Sequence, residues 1–274
     1  MIKSTFGLTH EPFYRHDLKP LPQQVEVIDM LKIHAQHGGF STIVGHPGVG
    51  KSVIRDHLEK LGKDRDTIVV SFTQTLHTYQ PILKLLAESM QVSARPKDLE
   101  KELAQAAWRH VQSQKMLYIV IDDAHLLDVA VLRKLRLLFE RFPRKHNLVL
   151  LGHPELLHRF SMLCNEDIKS RISYSKQLLP LNDDDLQRFI IDELAAVGLG
   201  ANTLDEAATQ IIMRAVQGNL RLCRNLCYAS LINTCLDGKR ICTASHVNAA
   251  LQQPHWRSHE ALLKQQAAAP QRAP

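Results

Sequence analysis

The stretch Gly45-His46-Pro47-Gly48-Val49-Gly50-Lys51-Ser52 sets glycines, a lysine and a hydroxyl in the order Gly-x-x-x-x-Gly-Lys-Ser. That order suits a polyphosphate. Glycines let the backbone curl so that successive N–H groups face phosphate oxygens. A helix starting near Lys51 adds the positive end of its dipole. Lys51 then reaches the outer phosphates, Ser52 ligates Mg²⁺, and Val53 closes the binding segment. The pattern arises by chance in roughly 1% of chains this long, so the strand before it and the helix after it decide its meaning. ATP with Mg²⁺ is the expected ligand.

Tyr118-Ile119-Val120-Ile121-Asp122-Asp123 reads as a buried strand that delivers carboxylates to its C-terminal end, the so-called Walker B arrangement. Ligands of open α/β sheets bind at that edge. Asp122 is expected on the Mg²⁺ side, through water, and Asp123 as the general base that polarises an attacking water. Paired acids also occur in ordinary turns; the phosphate-binding loop ahead of them gives this pair its weight. Leu148–Leu151 followed by Gly152-His153-Pro154 reads as the strand that carries a polar "sensor" side chain between the other two, with His153 as candidate and a plain loop histidine as the alternative.

Two arginines extend the set. Arg171 lies just before the last expected strand, and Arg221 sits in Gly218-Asn219-Leu220-Arg221. A planar, permanently charged donor suits the charge that develops on a transferring γ-phosphate. An arginine finger supplied by a neighbouring subunit is worth about 10³–10⁵ in rate. Taken singly, either residue reads better as a surface or structural ion pair, since most arginines are exposed.

These side chains need a scaffold. Short apolar runs at Phe40–Val44, Thr67–Phe72, Met116–Ile121, Leu148–Leu151 and Ser173–Leu178 alternate with helical patterns near 51–62, 79–90, 97–114 and 128–141. That alternation predicts an α/β class with a parallel five-stranded sheet. The runs at 67–72 and 116–121 are nearly continuous and predict strands covered on both faces. Ahead of them, Val25, Ile28, Leu31 and Ala35 make a helical stripe. In the helix at 128–141, Leu132, Leu135, Leu138, Phe139 and Phe142 form the apolar stripe, opposite Arg133, Lys134, Arg136 and Arg141. After Leu181 the strand signals stop. Asp183 is read as a helix cap, Thr203 with Glu206 as a capping box, and Thr243 as the last cap. The expected domains are an N-terminal segment 1–39, an ATPase core 40–181, an all-helical lid 182–254 and a mobile tail 255–274.

With 274 residues, 45% hydrophobic, the chain can bury one sizeable core plus a smaller one. The formal charge of +6 permits contact with nucleic acid without requiring it. Neither a signal-like start nor a run near the ~20 apolar residues of a membrane span is present, so a soluble cytoplasmic protein without a membrane partner is expected. Five cysteines, an odd set, fit a reducing compartment. Cys223 and Cys227 share a helix face and with His246 could begin a metal site; small buried hydrophobes is the reading taken.

Together these residues resemble the AAA+ ATPases: phosphate loop, acid strand, sensor 1, arginine finger, then a helical lid with a sensor 2 arginine. Within them the chain looks closest to the ExeA/GspA-like group and to transposition ATPases of the TniB/TnsC type. Phe6-Gly7-Leu8 with Pro12-Phe13, Gly152-His153-Pro154-Glu155-Leu156, Ser170-Arg171-Ile172 and Gly218-Asn219-Leu220-Arg221 carry that resemblance over about residues 4–252. It implies a homo-oligomeric ring or helical filament in which Arg171 acts on a neighbour's nucleotide while Lys51, Ser52, Asp122, Asp123, His153 and Arg221 act in cis. The group more often has Asp-Glu where this chain has Asp122-Asp123, and often glutamine at His153. Slow hydrolysis, with nucleotide acting as an assembly switch, fits the shorter Asp123.

Three roles follow as expectations. The first is a regulator of transposition that assembles on duplex target DNA and recruits a transposase, with Lys84, Arg95, Lys97 and Lys101 touching phosphates, although each taken singly reads better as part of a solvated charged helix face. The alternative is an ExeA-like secretion ATPase working with an envelope partner. A small-molecule kinase is disfavoured by the separate helical domain and the paired aspartates.

Overall fold

In the computed structural model, residues 1–14, 19–72 and 78–256 are described. In chain order the elements are α1 (Ile2–Phe6), α2 (Pro22–Ala35), β1 (Gly39–Val44), α3 (Lys51–Leu61), β2 (Thr67–Phe72), α4 (Tyr79–Ser89), α5 (Leu99–Gln112), β3 (Met116–Ile121), α6 (Val129–Phe139), β4 (His146–Gly152), α7 (Glu155–Ser161), α8 (Glu166–Lys169), β5 (Tyr174–Gln177), α9 (Asp183–Ala195), α10 (Glu206–Val216), α11 (Leu220–Leu236) and α12 (Ala244–Leu251). They divide into two compact units. Among the described residues, 19–72 and 78–179 form one; 1–14 with 180–256 form the other. The first residues thus group with the helical unit and α2 with the sheet, where the sequence suggested a single segment over 1–39.

The sheet is parallel throughout, with order β2-β3-β4-β1-β5. β4 lies between the phosphate-loop strand β1 and the acid strand β3, as expected. Register sets Val44 opposite Gly152 and Ile121 opposite Leu150, so the loops leaving β1, β3 and β4 emerge at one edge. β3 and β4 are almost wholly buried, which their unbroken apolar runs require. β2 differs from expectation. It is an edge strand, and Thr67, Ile68, Val69 and Ser71 are only half-buried. An apolar run alone does not distinguish a central strand from an edge strand packed mainly on one side.

Helices cover both faces. One apolar cluster joins α4, α5 and α6 to the sheet through Leu86, Leu103, Leu135, Ile119 and Leu150. The other joins α2 and α3 through Leu31, Ile54, Leu58, Val120 and Val149. In α2 the buried stripe is Val27, Ile28, Leu31 and Ala35, and Val25, expected inside, is exposed. In α6 the apolar stripe is as read, but Arg136 is drawn inward, 3.1 Å from Glu140 and 3.7 Å from Asp167.

In the helical unit the caps shift from those expected. Asn182 Oδ1 accepts from Asp185 N at 2.8 Å, making Asp183 the first helical residue of α9. Asp205 Oδ1 accepts from Ala208 N and caps α10, while Thr203 is buried one turn earlier. Thr243 does cap α12, in a box closed by His246, whose Nδ1 accepts from Thr243 N at 2.9 Å. The Phe6-Gly7-Leu8…Pro12-Phe13 segment has a packing role. Phe13 is buried, its carbonyl accepts from Arg224 Nε at 2.6 Å, and Tyr14 meets Tyr228 edge-on with centroids 4.7 Å apart.

Candidate functional site

The loop between β1 and α3 has the backbone that a phosphate cradle needs. Gly48 and Gly50 have φ of 84° and 101°, a region L side chains rarely adopt. The loop closes tightly, with Val49 N donating to His46 O at 3.4 Å. Lys51 is the first residue of α3 and is buried; its ammonium donates to Gly45 O at 2.6 Å and to His46 O at 3.1 Å. The charge is therefore held within the loop, at the N-terminal end of an eleven-residue helix. Ser52 is half-buried in the first turn and Val53 is buried behind it. A polyphosphate fits this loop, where a helix N-terminus and a lysine meet beside two left-handed glycines.

Asp122 follows β3 and is half-buried. Its Oδ1 accepts from Asp123 N at 2.9 Å, and its Oδ2 accepts from Arg55 Nη1 at 2.8 Å. Arg55 itself is shared with Asp56 at 2.8 Å and Glu59 at 3.7 Å. Hard divalent ions such as Mg²⁺ take carboxylate, hydroxyl and water oxygens, and Ser52 with Asp122 supply the first two. Asp123 turns away into a left-handed conformation, φ 50°, that aspartate tolerates better than most side chains. Its carboxylate is 49% exposed, so water can reach it.

The turn after Asp123 brings His125 against His153, which follows β4. The rings stack with centroids 3.8 Å apart. Burial, and then the neighbouring His153, hold His125 below the ordinary histidine value. It is therefore neutral at pH 7.

The structure thus brings Gly45–Ser52, Asp122, Asp123 and His153 to one edge. Arg171 is elsewhere. It precedes β5 at the opposite end of the strands, with Nε 3.1 Å from Glu140 Oε1 and its side chain 60% exposed. It borders a pocket of about 280 Å³ that also touches Gly39 and His146, the first residues of β1 and β4. The length of β1, about 20 Å at 3.3 Å per residue, separates the two edges. Arg171 cannot meet a phosphate held by its own Lys51. Arg221 is exposed on the first turn of α11. Lys84, Arg95, Lys97 and Lys101 are all exposed on and between α4 and α5, and Arg95 pairs with Asp98 at 3.1 Å.

Sequence reasoning missed Arg55 and His125. Arg55 carried a signal, being one helical turn beyond Lys51 and so on the same face of α3. His125 carried none, because its partner His153 is distant in sequence. The expected thiol cluster stays structural. Cys223 and Cys227 lie 4.0 Å apart and buried, but His246 is committed through both ring nitrogens, Nδ1 to Thr243 N and Nε2 to Asp237 Oδ2 at 3.1 Å. Burial raises the Cys227 thiol well above the usual value, which suits an inert thiol.

Residues 33–160 match the family described as AAA domain. General secretion pathway protein A of Aeromonas hydrophila is 25% identical over 248 residues, 85% of this chain and 44% of that protein. The chain therefore spans less than half the length of this curated relative. Among solved structures, Cdc6p of Pyrobaculum aerophilum aligns with a TM-score of 0.70 at 20% identity, covering 95% of this chain and 73% of that one. The Aeropyrum pernix ORC1 protein in complex with DNA aligns with a TM-score of 0.65 at 15% identity, covering 85% and 65%. These structures share the fold: a parallel sheet wrapped in helices, with a helical C-terminal part. Among the described residues no helix is long and apolar enough to cross a membrane. With the phosphate cradle, the acid-tipped strand and the matched AAA domain falling on the same residues, the chain carries an ATPase domain, with ATP and Mg²⁺ as its ligands.

Proposed function

We propose that the chain is an ATP-dependent assembly factor that gathers on duplex DNA and recruits a transposase or similar recombination protein. In this reading Lys51 and the loop amides hold the β- and γ-phosphates, and Ser52 and Asp122 hold Mg²⁺, which screens phosphate charge when bound. Asp123 accepts a proton from the attacking water, and His153 contacts the γ-phosphate side. Arg221 senses nucleotide from the helical unit. The observation that carries assembly is the position of Arg171. It lies an entire strand length from Lys51, so a role in hydrolysis requires a second subunit.

The DNA partner is supported by the exposed cations Lys84, Arg95, Lys97 and Lys101 and by the fold shared with a DNA-bound protein. Contacts of this type are non-specific and strongly salt-dependent. Sedimentation with a non-hydrolysable ATP analogue, with and without duplex DNA, tests both parts. Nucleotide-dependent oligomers on DNA, absent in Lys51→Ala, are expected. A monomer indifferent to DNA at low salt refutes the reading.

A second reading rests on the similarity to general secretion pathway protein A of Aeromonas hydrophila. Here the same ATPase serves an envelope partner. Nucleotide-dependent oligomers that ignore DNA but retain a membrane protein on co-purification favour it.

A further inference from the structure

Asp123, His125 and His153 come from two separate segments, the turn after β3 and the residue after β4. One ligand atom from each nevertheless lies within 4.8 Å of the others. The rings are stacked, 14° from parallel. His125 Nδ1 is buried and has no hydrogen-bond partner. Asp123 Oδ1 lies 3.9 Å from it, beyond hydrogen-bond reach. A buried nitrogen without a partner is costly, and a ligand placed on it relieves that cost.

We propose that Asp123, His125 and His153 form a site for a borderline divalent ion of the zinc class, separate from the Mg²⁺ position at Ser52 and Asp122, and that filling it stops hydrolysis. The donor set selects the ion. Imidazole nitrogen suits Zn²⁺, Co²⁺ and Ni²⁺, whereas Mg²⁺ is held by oxygen. Two imidazoles and a carboxylate leave a tetrahedral ion one open position. Ligands about 2.1 Å from such an ion stand about 3.4 Å apart. The present spread closes when the exposed Asp123 side chain turns inward and the two rings splay. Glu155 Oε2, 3.9 Å from His153 Nδ1, adds negative charge to the rim, and Lys51 opposes it. The block on hydrolysis rests on the role proposed above for Asp123, because a carboxylate bound to metal cannot take a proton from water. The binding itself does not rest on that role.

The test titrates Co²⁺ into the whole chain without nucleotide, in excess Mg²⁺, and reads the visible absorption of tetrahedral Co²⁺. One equivalent is expected to bind and to be displaced by Zn²⁺. His125→Asn and His153→Gln are each expected to weaken binding by about 100-fold, and the Cys223→Ser, Cys227→Ser double variant to leave it unchanged. His153 borders the surface, so its variant decides the matter if His125→Asn fails to fold. Absence of Co²⁺ binding, binding that survives His153→Gln, or binding lost in the cysteine variant overturns the site. In a parallel assay stoichiometric Zn²⁺ is expected to halt γ-phosphate release with ATP still bound; unchanged release by metal-loaded protein overturns the block. A chain that releases no phosphate even without Zn²⁺ refutes the role given to Asp123 and leaves the metal site standing.

Discussion

Arg55 Nη1 and Asp122 Oδ2 are joined at 2.8 Å, with the two side chains only 20% and 13% exposed. The acid proposed to face Mg²⁺ is therefore already paired with a cation from α3. Its charge is balanced without the ion, and nucleotide binding has to share it.

Arg55→Met removes that balance. Leaving Asp122 without its partner is expected to cost about 1–3 kcal/mol and to lower Tm by about 2–12 °C. Apparent Mg²⁺ affinity in the presence of nucleotide should rise about fivefold, the equivalent of ~1 kcal/mol less repulsion. Calorimetry of Mg²⁺ binding beside a thermal melt checks both. No change in either would mean that the ion pair is incidental.

Gly218 and Arg221 lie in one short element but do different work. A Cβ on Gly218 would come within 2.3 Å of Leu181 O, and its φ is 77°. Gly218→Ala is expected to destabilise the helical unit by at least ~2 kcal/mol. Arg221→Ala, at an exposed position, should stay within about 0.5 kcal/mol of wild type and change only nucleotide affinity. Denaturant melts of the two variants, run beside nucleotide titrations, separate these effects. Equal destabilisation would show that Arg221 is structural.

The phosphate loop and the acid pair were legible in the sequence because each is local. Gly48, Gly50, Lys51 and Asp122 act through the backbone next to them. What could not be read depended on distance or on a choice among equals. The edge position of β2 depends on which strands flank it. The stack of His125 on His153 depends on β3 and β4 pairing. Asn182 and Asp205 sit within the runs Asn182-Asp183-Asp184-Asp185 and Thr203-Leu204-Asp205-Glu206, where several side chains can cap. The structure selects those whose oxygen meets the third amide of the helix.

Mild acid should destabilise the sheet unit through its buried histidines. Burial lowers the pKa of His146, partly offset by the bond of its Nδ1 with Pro143 O at 2.6 Å. Burial also lowers His57, His110 and His125. A histidine whose folded value lies below its unfolded value of about 6.5 leaves the unfolded chain holding more protons. Stability is then complete above pH 6.5 and falls as pH drops below it. Denaturant midpoints between pH 7.5 and 5 should decline, and His146→Phe should flatten part of that decline. A profile flat to pH 5 would contradict these directions.

The most direct measurement is single-turnover release of γ-phosphate from Mg²⁺-ATP, which detects slow hydrolysis, in wild type beside Lys51→Ala and Asp123→Asn. The expected result is measurable release by wild type, loss of both binding and release in Lys51→Ala, and retained binding without release in Asp123→Asn. ATP turnover that persists in Lys51→Ala, or wild-type protein that neither binds nor cleaves ATP, would contradict the assignment of this edge of the sheet as the catalytic site.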